Sequence, residues 1–506
     1  MTTHDHGNGL TCDELFGKGT GLTFDDIIML PPFSDVNSDA ISLDTILVPG
    51  KITLRLPLIS SPMDTVTGWK TALHFALHGG IGVIHFNGTV EEQAAQVRRV
   101  KRYRMGFIFS PVCRRPDQPI SEVDVVKWGY GFSTILITED GTPKSRLLGM
   151  VTTGNVALEP DKTRKLCEVM ISSKSLRTRP ATEVQTLEKA RDILRSEPII
   201  SKLPLLNDDG SVYALVTRDD VVKSGQYPLC LVDRNEQLMV GAAVSTQPQD
   251  CDRARALLDA GADLLVVDSA QGGTQFACQR IKEIRALSSD VSIMAGNVVT
   301  PAQALPLINA GADALRVGMG SGSICTTQDT VAIGRSQLSA VYHTSRVKLP
   351  VVADGGTRST ADIVKALACG AAAVMVGRYI AGCDETPGDE ERDGGGRRWK
   401  RYRGMGSPSA IRDGGVKRYG CDGSQRHTVA QGVEGWVPSQ GSLDRLLPET
   451  AATIRKALEY FGCETVAVLH GKIARGEICF ELRSDASRKE GKPHDIAFAP
   501  FGASYQ

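Results

Sequence analysis

The chain is 506 residues long, with 58 Lys+Arg balanced by 58 Asp+Glu. It is therefore long enough for one large domain plus smaller ones, and it carries no net field that would draw it to nucleic acid or an anionic membrane. Its 12 cysteines stand singly, without C-x-x-C pairs, which excludes a disulfide-stapled secreted scaffold and fits reduced thiols in the cytoplasm. No run approaches the ~18 apolar residues of a membrane span and neither terminus carries a standard targeting signal, so a small-molecule partner is expected.

In chain order, the first clear pattern starts at Leu56, where LPLISS is followed by the helical stretch GWKTALHFALHGG and then by IGVIH. Alternation of this kind marks βα units. It breaks near Phe107 and resumes near Leu238 with LMVGAAV, DLLVVDSAQGG, SIMAGNVV, ALRVGMGSG, LPVVADGG and AAVMVGR, each ending in Gly, Asp or Asn or shortly after one. Strands apolar throughout are those buried on both faces of a parallel sheet, and CDRARALLDAGA, PAQALPLINAGA and TADIVKALACGA have helical spacing between them. Eight such units closing on themselves make an α/β fold of the TIM (β/α)8 type, with the barrel in residues 1–106 and 228–506. A doubly wound open sheet is the alternative. Polar and glycine residues at the strand ends then lie on the face where barrels carry active sites.

The segment 107–227 contains an internal repeat, ILITEDGTPKSRLLGMVTTGNVA and PLLNDDGSVYALVTRDDVV. Each copy reads as strand, Asp-Gly turn, strand, Val-Thr and a helix start. It resembles a pair of CBS repeats, a Bateman α+β domain, which implies a regulatory purine nucleotide; a spacer without ligand is the plainer reading. The segment 384–435 is charged and glycine-rich, and it reads as a long loop that flaps over the barrel mouth.

Three strand ends, Gly320-Ser321-Gly322-Ser323, Asp354-Gly355-Gly356 and Val376-Gly377-Arg378, fall late in the barrel order, where backbone N–H groups bind phosphate. Any one of them is accounted for by a tight turn; together they favour a nucleotide monophosphate. Cys325 follows this glycine-rich loop in GMGSGSICTTQD. A lone cysteine is more often inert packing, but a thiol exposed on a loop beside phosphate is placed to attack an electrophilic ring carbon.

Eight strings, GLTFDDIIMLPPFSDV, SSPMDTVT, GGIGVIH, AGNVVT, GSGSICTTQ, ADGG, YRGMGS and VAQGVEG, resemble the IMP dehydrogenase / GMP reductase family over nearly the whole chain. GSGSICTT and YRGMGS point to its dehydrogenase branch. The resemblance implies oxidation of inosine 5′-monophosphate (IMP) by NAD to xanthosine 5′-monophosphate. Cys325 would attack the purine and the covalent adduct would be hydrolysed, with Thr327 and an Arg418-Tyr419 pair activating the water. It implies substrate contacts from Ser61, Met63, Ser323, Asp354, Gly356, Gly377, Tyr402, Gly404, Met405, Gly406 and Gln431. Cofactor contacts are implied for Thr246, Asp268, Ser269, Asn297, Arg316, Gly318 and Gly320. A potassium site is implied at Gly320, Gly322 and Cys325, completed by residues matching Glu490, Gly491 and Lys492 of an adjacent subunit. Homotetramers pairing into octamers through the inserted repeats are a further expectation.

This chain departs from the family in several places. Lys492 stands where the family has glycine, which puts potassium in doubt, Gly68 replaces a glutamate, and Ala270 replaces a serine. Arg378 stands where the family usually has a small or hydroxyl residue, and a guanidinium there is suited to an additional phosphate contact. The competing readings are GMP reductase, which would not need Arg418 and Tyr419, and a weakly active nucleotide sensor.

Overall fold

A computed structural model describes residues 9–493 apart from 18, 104, 105, 110, 131–133, 249, 415–417 and 419–428. The chain forms two compact units, residues 1–100 with 239–506, and residues 101–238.

The larger unit is built on a closed barrel of eight parallel strands. They are β1 Leu58–Ser60, β2 Ile81–Ile84, β3 Gly241–Val244, β4 Leu264–Asp268, β5 Ser292–Val298, β6 Ala314–Val317, β7 Val351–Asp354 and β8 Ala373–Val376. Closure runs through Val374 beside Leu58 and Gly241 beside Val83, so the open-sheet alternative is excluded. Every residue of β3, β4, β5 and β6 is buried, because side chains fill the barrel inside while helices cover it outside. The helices start on side-chain caps. Thr300 accepts from the Gln303 N–H before the helix Pro301–Ala310, with proline in its first turn and left-handed Gly311 at its end. Ser359 and Asp362 form a capping box on Thr360–Ala368. Such signals fix where each strand hands over to its helix. Gly82 in β2 is required by packing: a Cβ there would sit 2.3 Å from the Ala72 Cα of the helix Trp69–Leu77.

The smaller unit lies in sequence between β2 and β3 and repeats one motif. In the first copy the helix Ser121–Tyr130 precedes the antiparallel pair Thr134–Thr138 and Leu147–Thr152; in the second, Leu187–Ser196 precedes Lys202–Leu206 and Val212–Thr217. Both hairpins turn through an Asp-Gly step whose glycine has positive φ, Gly141 and Gly210. Each copy has its own core, around Val123, Ile135 and Val151 in one and Ala190, Leu203 and Val216 in the other.

The segment 384–435 is not a plain loop. Among its described residues, Glu390–Arg392 and Arg398–Arg403 pair with each other, and the latter pairs with Glu434–Pro438, giving a three-stranded antiparallel sheet. Its charges hid it from the sequence, because they are satisfied locally. Lys400 is buried with its ammonium on the carbonyls of Cys383 (2.9 Å) and Thr386 (2.6 Å), and burial pulls its pKa down. No helix among the described residues is long and apolar enough to cross a membrane.

Candidate active site

The C-terminal ends of β1, β5, β6, β7 and β8 open into one cavity, and the sheet segment after residue 384 contributes its far wall. Ser61 and Met63 follow β1, Asn297 lies in β5, and Arg316 and Gly318 lie on and after β6. Gly320, Gly322, Ser323, Cys325 and Thr327 come from the loop beyond; Asp354, Gly356, Gly377 and Arg378 follow from β7 and β8. Tyr402, Gly404, Met405, Gly406, Arg418 and Gln431 face them, and all of these residues line the cavity. Thr246, Asp268 and Ser269 stand outside its lining, as do Glu490, Gly491 and Lys492. Tyr419 lies outside the described residues. Ser321 and Gly355, named with the phosphate-binding strand ends, also line the cavity, whereas Met319, Ile324, Thr357 and Met375 were not singled out. Each of these four adjoins a residue that was named, so the signal for them was position alone.

The loop between β6 and the helix Thr327–Val331 depends on close backbone approach. Gly318 has φ +149, and a Cβ there would meet the Asp354 carbonyl oxygen at 1.9 Å. Gly355 and Gly356 are both left-handed, which suits glycine alone. Cys325 is half-buried, and its Sγ lies 3.0 Å from Thr327 Oγ1. The Thr327 hydroxyl donates to Gln431 Oε1 at 3.1 Å. Backbone bonds secure this line: the Thr326 N–H donates to the Gln431 carbonyl, and the Gln431 N–H to the Gly406 carbonyl, both at 3.0 Å. Thiol, hydroxyl and amide therefore come from two segments that are zipped together.

Beside the thiol is a charge network. Arg316, 2% exposed, donates to Asp268 Oδ1 at 2.6 Å and to Asp354 Oδ2 at 2.9 Å. Asn297 also donates to Asp354 Oδ2, at 2.8 Å. Both protein contacts of Asp354 use one oxygen, which leaves the other as an acceptor for a ligand hydroxyl. Arg418 ion-pairs with the same Asp268 oxygen as Arg316 and reaches Asn297 Oδ1 at 3.4 Å, while its own carbonyl accepts from the Ala270 N–H at 3.0 Å. Asp268 Oδ2 is buried with no hydrogen-bond partner. Two cationic side chains, Arg316 and Arg418, thus meet on Asp268, a residue expected to contact a cofactor. Arg316, also expected to contact the cofactor, is mainly committed to the two aspartates.

Tyr402 is buried, and desolvation pushes its hydroxyl up to about 12, against the lowering effect of its hydrogen bond with Ser323. It is therefore a neutral hydrogen-bonding group throughout the working range of pH. Just outside the lining, Arg403 donates to Asp64 at 2.6 Å and to Asp413 at 2.8 Å, and Asn87 donates to Asp64 at 2.7 Å. Asp64 follows Met63 directly and Arg403 precedes Gly404, so this pair fastens two segments that carry cavity-lining residues. Both side chains of the pair are about nine-tenths buried. Arg403→Ala is expected to cost about 3–5 kcal/mol by leaving the Asp64 carboxylate uncompensated. In urea unfolding the double variant with Asp64→Asn should lose less than Arg403→Ala alone.

The potassium expectation meets a poorer fit. The Gly320 carbonyl already accepts from Gln328 Nε2 at 2.8 Å and the Gly322 carbonyl from the Cys325 N–H at 3.0 Å. Glu490 and Gly491 close the short helix Asp485–Glu490, where the Gly491 N–H is bonded to the Ser487 carbonyl. The donors of this chain do not by themselves form an oxygen cage, and no chemical step is assigned to a cation here.

Residues 21–494 match the IMP dehydrogenase / GMP reductase domain. The chain belongs to this family. Proteins named inosine-5′-monophosphate dehydrogenase are similar over 97% of the chain: that of Toxoplasma gondii at 38% identity, covered over 98% of its length, and those of Schizosaccharomyces pombe and Trypanosoma brucei brucei at 41%, each covered over 95%. Among solved structures, a GMP reductase of Trypanosoma brucei in complex with guanosine 5′-monophosphate superposes with TM-score 0.81 at 31% identity. The match covers 94% of this chain and 98% of that one. The same reductase with guanosine 5′-triphosphate gives TM-score 0.71 at 29% identity, covering 92% and 98%. The family's two activities are thus both represented among similar proteins, dehydrogenase by sequence and reductase by shape.

Proposed function

We propose that this chain oxidises IMP to xanthosine 5′-monophosphate with NAD, the step that commits a purine nucleotide to guanine. The observation that carries the reading is Arg418 docked on Asp268 and Asn297 beside the Cys325–Thr327–Gln431 line, since release of ammonia in the reductase direction needs no such group. In the first half-reaction the Cys325 sulfur bonds to C2 of the hypoxanthine and a hydride passes from that carbon to the nicotinamide ring. In the second, water attacks the same carbon, the carbon–sulfur bond breaks and the thiol is regenerated. Arg418 and Thr327 flank the water and take its proton, with Tyr419 as the partner that the resemblance supplies.

The substrate contacts are those the resemblance implies, and they are supported by these residues lining one cavity. Ser61 and Met63 lie beside the base and ribose, and Asp354 takes the vicinal hydroxyls. Ser323, Gly356, Gly377 and Arg378 hold the phosphate, while Tyr402, Gly404, Met405, Gly406 and Gln431 read the phosphate and base edges. The cofactor contacts are Asp268, Ser269 and Asn297, with Thr246, Arg316, Gly318 and Gly320 nearby. The Asp268 oxygen that has no protein partner is a ready acceptor for a ribose hydroxyl. Because Arg418 and the nicotinamide riboside share Asp268 and Asn297, they bind in turn rather than together.

The insert at 107–227 is proposed as a CBS pair binding a purine nucleotide. Assembly into tetramers is carried over from the resemblance, and a cytoplasmic location from the scattered single cysteines. Incubation with IMP and NAD, and separately with GMP and NADPH, distinguishes the two activities by absorbance of the reduced nicotinamide. Reduced cofactor should accumulate with IMP, and its consumption with GMP alone would overturn the assignment in favour of the reductase.

A further inference from the structure

The phosphate end of the cavity contains two polar side chains that the protein leaves unanswered. Thr357, following Gly356, is 6% exposed, and its Oγ1 is buried with no hydrogen-bond partner. A buried hydroxyl in that condition is destabilising unless a ligand satisfies it. Arg378, following Gly377, has no hydrogen bond or ion pair among the described residues, although it lines the same cavity. Neighbouring polar groups are already engaged. Ser321 Oγ donates to Gln337 Oε1 at 2.9 Å, Arg358 pairs with Asp25 at 2.8 Å, and the Ser359 hydroxyl caps the helix Thr360–Ala368. Backbone N–H groups on glycine turns supply partial charges; Arg378 adds a full positive charge in bidentate form.

We propose that Arg378 and Thr357 convert the glycine cradle into a charge-reading subsite that selects the dianionic form of the nucleotide's 5′-phosphate over its monoanion and over the bare nucleoside. The inference rests on the assignment of IMP to this cavity, and it gives a role to Arg378, one of the residues at which the chain departs from its family. The ionisable groups facing the phosphate are Arg378 from the end of β8, Asp354 from the end of β7, Tyr402 from the sheet wall and Cys325 from the loop. Asp354 is held by Arg316 and Tyr402 stays neutral. The ligand's own second ionisation, near pH 6, is the one that the subsite is proposed to read.

The test is titration calorimetry of the full chain with IMP and with inosine between pH 5.5 and 8, alongside steady-state rates at saturating NAD. Wild type should bind IMP progressively more weakly below about pH 6, by up to tenfold per pH unit. Arg378→Ala should weaken IMP about 30-fold at pH 8, leave inosine unchanged, flatten the pH slope and raise KM with kcat nearly constant. Arg378→Lys should restore part of the loss. Thr357→Val, which keeps shape, should weaken IMP about fivefold, and unchanged inosine affinity shows that either variant is folded. IMP affinity within threefold of wild type in Arg378→Ala, or an unchanged pH slope, overturns the inference while leaving the activity intact. Wild type that binds IMP yet forms no reduced cofactor overturns the activity, and the calorimetric comparison still decides the subsite.

Discussion

Cys325→Ala is expected to abolish turnover of IMP, by at least about 10³-fold in kcat, while IMP still binds. In the proposed mechanism the sulfur bonds to the reacting carbon; without it, hydride would have to leave a neutral purine, and Thr327 Oγ1, 3.0 Å away, is far too weakly acidic to take its place. The fold should survive. Cys325 is only half-buried, and the loop is held by backbone bonds from Gly322, Gly406 and Gln431 rather than by the side chain. Two measurements check this: single-turnover formation of reduced cofactor, which should vanish, and calorimetric affinity for IMP, which should stay within a few-fold of wild type. Loss of affinity matching loss of turnover would mean that Cys325 shapes the pocket instead of attacking the base. Full activity in Cys325→Ala would remove the covalent mechanism outright.

The sequence was most transparent where burial is most complete. Each of the eight barrel strands is a short apolar run because parallel strands meet side chains on both faces, and the glycine turns at Gly320, Gly355 and Gly356 are visible because positive φ at a strand end admits little else. The strand Arg398–Arg403 was opaque for the opposite reason. Written RWKRYR, it looks like solvated loop, yet Tyr402 and Arg403 are buried and Lys400 sits among carbonyl oxygens. The ion pair Arg403–Asp64 joins residues 339 positions apart, and no local spacing announces a partner at that distance. The same holds for Asp268. Its position was named as a cofactor contact, but its two guanidinium partners, 48 and 150 residues away, emerge only from the closed barrel.

Arg418→Gln should split the reaction in two. The first half, attack by Cys325 and departure of hydride, makes no use of the guanidinium, so one equivalent of reduced cofactor per site should still form in a burst. The second half should slow by about 10²–10³-fold, the usual contribution of a positioned base, so that a covalent purine accumulates on Cys325 and can be read by mass spectrometry after acid quench. The docking seen here sharpens the expectation. An arginine paired with the Asp268 carboxylate is held in its charged form, whereas a base needs the neutral form. Arg418 must therefore loosen from Asp268, or pass its proton along the Thr327–Gln431 line, before water can attack. Arg418→Lys keeps a titratable amine and should recover hydrolysis as pH rises toward the lysine range near 10.4, while Arg418→Gln should show no such recovery. Because Arg418 and the nicotinamide riboside are proposed to compete for Asp268 and Asn297, Arg418→Gln should also bind NAD more tightly than wild type by the amount that docking formerly opposed it. A burst that disappears along with turnover would place Arg418 in the hydride step and remove it from hydrolysis.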